Sequence, residues 1–180
     1  RGWGGHGIPL SEITNEPIPG YEWTGGPPPE EEQFAPTLHF IEISADRRVY
    51  VGERGQNRIQ VFTTEGKWLQ DMYVSPNTPA QRGNCAGMRE ASPSPMPTGM
   101  FYSSICGSMY KMVISKDPKQ KYLFVADAHN DVVWIVERES GETLGHFGRN
   151  GRQAGQFHFA NAIGTDSFGN IYVGEVDNAK

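Results

Sequence analysis

Three acidic side chains are the residues best placed to do chemistry in this sequence, because each follows a short apolar run and precedes an asparagine. The pairs are Glu53 with Asn57, Asp127 with Asn130, and Glu175 with Asn178. Carboxylates that recur at the same end of successive strands could line a central channel and bind a cation. Asp and Asn at a strand exit can instead hydrogen-bond the backbone of their own loop. The recurrence favours this capping role, because a catalytic site would break a repeat rather than follow it.

The strands that must position these acids can be read from the flanking residues. An apolar run precedes each acid, at 49–51, 123–125 and 171–173. Another strand precedes each of these runs across a turn rich in Asp, Gly, Asn or Pro, the residues that tight turns require. Two of the three copies continue into a third and a fourth strand. The sequence therefore predicts successive four-stranded antiparallel sheets, which makes the fold class all-β.

Composition narrows the possible partners. The net charge is −5 and no cluster of Lys or Arg stands out, so we predict no nucleic-acid partner. No apolar run reaches the length of about 18 residues that a membrane helix requires, so we predict no membrane span. The 22 Gly and 13 Pro fit many short strands joined by turns.

The repeat resembles a known family. Residues 57–62 read Asn-Arg-Ile-Gln-Val-Phe, which is similar to the strand signature of the NHL repeat, and residues 155–157 and 166–173 resemble its opening half. The order of motifs is similar to that of bacterial, often exported NHL proteins related to the peptidyl-α-hydroxyglycine α-amidating lyase group. This resemblance implies a β-propeller of the NHL type, six-bladed when complete.

On this interpretation the chain covers about two full blades and parts of two neighbours. We predict the following division: the last strand of a preceding blade at 1–7, a Pro/Gly-rich insertion at 8–33, a blade at 34–74, a cysteine-containing insertion at 75–107, a blade at 108–148, and a partial blade at 149–180. A closed six-bladed ring needs about 250 residues. Further sequence, other chains or further copies would have to complete the ring.

The resemblance also implies where a site would lie. In the amidating-lyase group, histidines at the entries of the inner strands converge on a metal, and the matching positions here are His39, Lys111 and Asn161. With Glu53, Asp127 and Glu175 these form our set of channel-lining candidates. His39 is the one candidate metal ligand, for Zn or Ca in the channel; a hydrogen-bonding role is the alternative, because a catalytic zinc normally needs three protein ligands.

The two cysteines, Cys85 and Cys106, lie in the second insertion without any CxxC spacing. They could be reduced thiols, or a disulfide that closes a long loop and contributes about 3 kcal/mol. We favour the disulfide, and with it an extracellular or periplasmic location.

Two functions follow as expectations. The first is a non-catalytic exported propeller that uses its loops for recognition or assembly, with a protein partner or with further copies or chains that complete the ring. The second is a metal-dependent propeller enzyme of the amidating-lyase or lactonase type with its site in the central channel.

Overall fold

The computed structural model describes residues 2–13, 32–34, 38–54, 57–74, 109–128 and 130–176, and this part of the chain is all-β. Its strands are β1 (Leu38–Ile43), β2 (Arg48–Glu53), β3 (Arg58–Thr63), β4 (Trp68–Tyr73), β5 (Met109–Ile114), β6 (Tyr122–Asp127), β7 (Val132–Glu137), β8 (Thr143–Phe147), β9 (Ala160–Thr165) and β10 (Ile171–Glu175). Most of both predicted insertions, the pair Cys85 and Cys106, and Asn178 lie outside the described residues.

The strands form three antiparallel sheets in chain order. Sheet 1 contains β1 to β4, sheet 2 contains β5 to β8, and sheet 3 contains β9 and β10. Each strand pairs with the next one along the chain, which confirms the predicted succession of hairpins within four-stranded sheets.

The first hairpin of each sheet uses a polar turn. In sheet 1 Ser44 donates a hydrogen bond to Asp46, and in sheet 2 the Ser115 hydroxyl donates to Asp117 in the same way. In sheet 3 Asp166 accepts a bond of 2.9 Å from the Asn170 backbone N–H. These short side chains satisfy backbone groups that the turn would otherwise leave unpaired, as the turn composition predicted.

Register shows that the sheets are copies of one unit. Val51 pairs with Ile41, Val125 with Met112, and Val173 with Ile163. The three valines therefore occupy one equivalent position, as the repeat predicts.

Alternation of side chains across the strands gives each sheet two apolar faces. One core fills the space between sheets 1 and 2; its largest members include Tyr50, Ile59, Met72, Met112 and Leu123. A second core joins sheets 2 and 3, around Ala126, Val133 and Ile163. The sheets are stacked face to face, and each buries its apolar residues against the next.

A close approach in sheet 1 depends on a glycine. The ring of Phe40 lies where a Cβ atom on Gly52 would be, so any larger residue at position 52 would overlap the ring. Phe40 pairs directly with Gly52 across β1 and β2 and is buried. The missing side chain is therefore what lets Phe40 turn towards sheet 2.

The described N-terminal segment lies against sheet 1. Within the predicted last strand of a preceding blade at 1–7, Trp3 makes an isolated bridge with Pro9 and Gly5–Gly7 forms a 3-10 turn. Trp3 and Phe34 pack against Phe62, with ring centroids 6.0 and 5.9 Å away. The segment thus covers the outer part of sheet 1 without adding a strand, since the glycines on either side of His6 favour a turn.

Charged side chains join the β1–β2 hairpin of sheet 1 to the β7–β8 hairpin of sheet 2. Arg138 donates from Nη1 to the Asp46 carboxylate at 2.9 Å and to the Tyr50 hydroxyl at 3.0 Å. Arg48 donates to Glu139 at 3.0 Å. Burial raises the pKa of Tyr50 more than the nearby guanidinium lowers it. Burial also acts to raise the pKa of Asp46, but hydrogen bonds from Ser44 and Arg138 outweigh it and lower the pKa.

Candidate site at the inner-strand entries

The first strand of each sheet begins with a β-bulge at the same place. The register shifts between Leu38 and Phe40 in β1, between Met109 and Lys111 in β5, and between Ala160 and Ala162 in β9. The extra residues are His39, Tyr110 and Asn161. Bulges bend a strand and re-aim a side chain, and they are common beside functional sites.

The position of Lys111 therefore requires a correction. The sequence alignment matched Lys111 with His39 and Asn161, but register places Lys111 one residue further along, opposite Ala126. Its equivalents are Phe40 and Ala162, and Tyr110 is the residue that matches His39. The Lys111 ammonium instead binds the Glu42 carboxylate across the two sheets at 2.7 Å. Both side chains are about one-third exposed, so this ion pair contributes little.

His39 is held against the neighbouring sheet. Its Nδ1 lies 2.6 Å from the Tyr110 carbonyl oxygen, and its ring meets the Tyr110 ring edge-on with centroids 4.9 Å apart. Because a carbonyl oxygen only accepts, Nδ1 must carry the proton, which makes Nε2 the acceptor in the neutral ring. This arrangement orients the imidazole as the hydrogen-bonding alternative requires, and it is also how proteins orient a ligating histidine.

Tyr110 also has a cationic neighbour, Arg54, which the sequence did not single out. The Arg54 guanidinium lies 4.7 Å from the centre of the Tyr110 ring, and the residue is almost fully buried. Among the described residues, its Nε and Nη2 atoms have no hydrogen-bond partner. Arg58 uses the same pair of atoms to bind both Glu53 carboxylate oxygens, at 2.8 and 2.9 Å. The buried edge of Arg54 thus has the pair of N–H donors with which a guanidinium binds a carboxylate.

The acids of the repeat are engaged within their own sheets. Glu53 and Asp127 are both fully buried. Glu53 binds Arg58. Burial acts to lower the pKa of Arg58, but the hydrogen bond and the charge of Glu53 outweigh it, so the pKa is raised. Asp127 accepts bonds from the backbone and side-chain nitrogens of Asn130 and from the Trp134 indole, at 2.7 to 2.9 Å. The bond from the Asn130 backbone N–H fits the capping role for Asp127, whereas Glu53 binds the Arg58 side chain.

The third acid and the third bulge are more open. Glu175 is exposed and accepts a bond of 2.8 Å from the His158 backbone N–H. It lies opposite Ala160, as Glu53 lies opposite Leu38, so it is the equivalent residue. Asn161 is half-buried at the bulge of sheet 3.

The residue that links one sheet to the next is not the predicted asparagine in every copy. Asn57 and Asp131 each precede the third strand and each have a positive φ, 49° and 55°. The Asn57 side-chain oxygen accepts from the Met109 N–H at 2.9 Å, and Asp131 accepts from the Phe159 N–H at 2.6 Å. Asp131, rather than Asn130, is therefore the equivalent of Asn57.

A partly buried polar network was also missed by sequence reasoning. Asp71 on β4 accepts from Arg58 Nη1 at 3.0 Å and from the Trp68 indole at 2.9 Å, and its Oδ2 lies 3.0 Å from His6 Nε2. The His6 ring stacks on Trp68 with centroids 4.3 Å apart. Spacing in the sequence gave no signal for this network, because His6 and Asp71 are 65 positions apart.

The described residues do not provide a metal site. Within them no group of three or more His, Cys, Asp or Glu side chains is arranged to hold a metal ion. His39 is the sole ligand candidate at the inner-strand entries, and Glu53 and Asp127 are committed to other partners. This donor set does not fit catalytic zinc or a calcium site.

Comparison with known proteins found no match to any protein-family model or to any curated protein. Among the described residues no helix has the length and apolar character needed to cross a bilayer.

Proposed function

We propose that the three sheets are consecutive blades of an NHL-type β-propeller, six-bladed when complete, that acts as a non-catalytic scaffold for recognition or assembly. The exposure of equivalent positions carries this proposal. Met112 and Ile114 on β5 are 0% and 6% exposed because sheet 1 covers them, whereas the equivalent Ile41 and Ile43 on β1 are 59% and 61% exposed. Sheet 1 is thus built to be covered by another blade.

The opposite end of the stack supports the same interpretation. Tyr50 on β2 is fully buried against sheet 2, whereas the equivalent Tyr172 on β10 is 60% exposed. A stack with apolar residues open at both ends is what a segment of a ring presents. A closed ring removes such open faces.

A binding role agrees with how the polar groups are used. The buried acids Glu53 and Asp127 hold loops and strands in place, and Asn57 and Asp131 join one sheet to the next. Rigid sheets of this kind commonly present binding residues on their long loops. We place recognition on the insertions at 8–33 and 75–107. We also place it on the edge of the sheets where β1 starts and β2 ends, which carries His39 and Arg54.

Metal analysis of the purified protein tests the non-catalytic part of this proposal. We expect zinc and calcium to remain far below one equivalent per chain after dialysis against metal-free buffer. One tightly held equivalent, removed only by a strong chelator, would contradict the scaffold and favour an enzyme.

The orientation of His39 favours a metal-dependent propeller enzyme as the second candidate. Its Nδ1–H is fixed on the Tyr110 carbonyl, so Nε2 is available as an acceptor. On this alternative, further chain would supply the other ligands, and a His39→Gln variant would lose bound metal while keeping its unfolding transition. Equal metal content in the two proteins would exclude His39 as a ligand.

Export to an oxidising compartment is part of the same proposal. We expect Cys85 and Cys106 of the secreted protein to resist iodoacetamide until they are reduced, as measured by intact mass. Labelling of both thiols before reduction would contradict the disulfide.

A further inference from the structure

The open face of sheet 1 consists of Leu38, Ile41 and Ile43 on β1, and we refer to it as the leading face. The corresponding residues of sheet 2 are Met109, Met112 and Ile114, which are all buried in the core shared with sheet 1. In sheet 3 the position of Ile41 is taken by Ile163, which is buried against sheet 2. The leading face is therefore the side of a blade that receives the preceding blade.

The open face of sheet 3 has the complementary character. Tyr172 projects from β10 beside the exposed small residues Ala162 and Gly174, and we refer to these three as the trailing face. In sheet 1 the equivalent tyrosine, Tyr50, lies in the core that also contains Met112 and Ile114. A trailing-face tyrosine thus packs against leading-face aliphatic residues, and in the described part of the chain one face of each kind is exposed.

We infer that the leading face of one molecule binds the trailing face of a second copy of this chain, so that sheet 3 of one copy takes the place of the blade before sheet 1 of the other. The inference rests on the proposed propeller and names the partner that continues the stack. The contact joins two different surfaces and is therefore head-to-tail, which builds a ring if the rotation closes and an open row of copies if it does not.

Analytical ultracentrifugation over a range of protein concentrations tests this inference with two variants. Ile41→Lys places a charge on the leading face, and Tyr172→Lys places one on the trailing face. Both positions are more than half exposed, so the variants should fold as the parent does. We expect the parent to self-associate and each variant alone to be monomeric.

Mixing the two variants separates a head-to-tail contact from other arrangements. The Ile41→Lys copy keeps a trailing face and the Tyr172→Lys copy keeps a leading face, so an equimolar mixture should form a heterodimer and nothing larger. Leu144→Lys is the matched control, because Leu144 is 51% exposed on the outer strand β8. It should self-associate as the parent does.

Three results would overturn the inference. The parent could remain monomeric at every concentration, only one of the two variants could lose association, or the mixture could stay monomeric.

The propeller itself is tested separately by nuclear Overhauser effects between the His39 and Tyr110 rings, whose centroids lie 4.9 Å apart. Their presence in a monomeric parent would remove the second copy but retain the stack; their absence would remove both.

Discussion

Left-handed backbone at Asn57 and Asp131 is the residue-scale feature that ties the sheets together. A positive φ costs a non-glycine residue roughly 1–2 kcal/mol, yet neither copy uses glycine. Each side chain accepts a hydrogen bond from the backbone at the start of the next sheet, 2.9 Å for Asn57 and 2.6 Å for Asp131. Asn and Asp tolerate this conformation better than other residues and also supply the acceptor, which explains their presence.

Two substitutions at Asn57 separate the backbone from the side chain. Asn57→Gly keeps the positive φ but loses the acceptor for the Met109 N–H, so we expect the free energy of unfolding to fall by about 1–2 kcal/mol. Asn57→Ala adds backbone strain and should lose about 1 kcal/mol more. Urea unfolding monitored by circular dichroism measures both. Parental stability in the Gly variant would show that the bond to Met109 contributes nothing.

Glu53 should behave as a buried structural charge. Glu53→Gln removes the fully buried carboxylate that binds two Arg58 nitrogens and leaves Asp71 as the remaining acidic partner described, so we expect the free energy of unfolding to fall by about 3 kcal/mol. Glu65→Gln, at an exposed turn, is the control and should change stability by less than about 0.5 kcal/mol. A small loss in the Glu53 variant would contradict this structural role and reopen the channel interpretation.

Arg54 should behave in the opposite way. Its Nε and Nη2 are buried without hydrogen-bond partners among the described residues, so Arg54→Met removes a charge that this part of the chain does not pair while keeping most of the side-chain volume. We expect stability to stay within about 1 kcal/mol of the parent or to rise, because the contact with the Tyr110 ring is the interaction that is lost. A loss as large as that of Glu53→Gln would identify an ionic partner for Arg54 in the rest of the chain.

At the scale of elements, the β1–β2 hairpin of sheet 1 and the β7–β8 hairpin of sheet 2 are joined by a cluster whose strength depends on pH. Tyr50 accepts a hydrogen bond from Arg138, and burial raises the pKa of its hydroxyl above the unfolded value of about 10. A raised pKa means that the neutral phenol is favoured in the folded state. Its contribution is therefore fully present below about pH 10 and is lost as the pH rises through the folded pKa.

Tyr50→Phe isolates this contribution. The variant should be less stable than the parent at pH 8, because Arg138 loses an acceptor, by about 1 kcal/mol. Between pH 8 and pH 11 the parent should lose more stability than the variant, because in the parent the unfolded Tyr50 ionises at a lower pH than the folded one and this ionisation favours the unfolded state. Guanidinium unfolding at the two pH values measures the difference. Parallel losses would contradict a raised pKa at Tyr50.

Strand order and pairing could be predicted from the sequence because each strand repeats the same apolar alternation and each turn contains the residues that turns need. The exact equivalences could not. Matching by residue type aligned Asn130 with Asn57, whereas counting from the acids gives Asp131, four residues after Asp127 as Asn57 is four after Glu53. Matching by residue type likewise aligned the polar Lys111 with His39 and Asn161, whereas the bulge residue of sheet 2 is the aromatic Tyr110, and a bulge leaves no mark in the apolar pattern. No sequence pattern marked Arg54, because its unusual feature is a buried guanidinium and burial is seen only in the structure.

At the scale of the whole molecule, the stack is asymmetric in how well its sheets are supported. Sheet 2 is covered on both faces, by the cores it shares with sheets 1 and 3. Sheet 1 is covered on one face and, in its outer part, by Trp3 and Phe34. Sheet 3 has two strands in the described residues and one covered face. In an array where each unit contacts only its neighbours, stability follows the number of such interfaces.

Hydrogen exchange should reveal this gradient. In the Ile41→Lys variant, which keeps copies apart, we expect amides of β7 to exchange slowest and those of β10 fastest, since β10 pairs with β9 alone among the described strands. Ile163→Ala weakens the core between sheets 2 and 3 and should accelerate exchange in β9 and β10 while β7 changes little. Mass spectrometry of peptic fragments resolves these strands. Equal acceleration in β7 and β10 would mean that the three sheets unfold as one unit, and the contact between sheets 2 and 3 would then be as strong as the pairing within each.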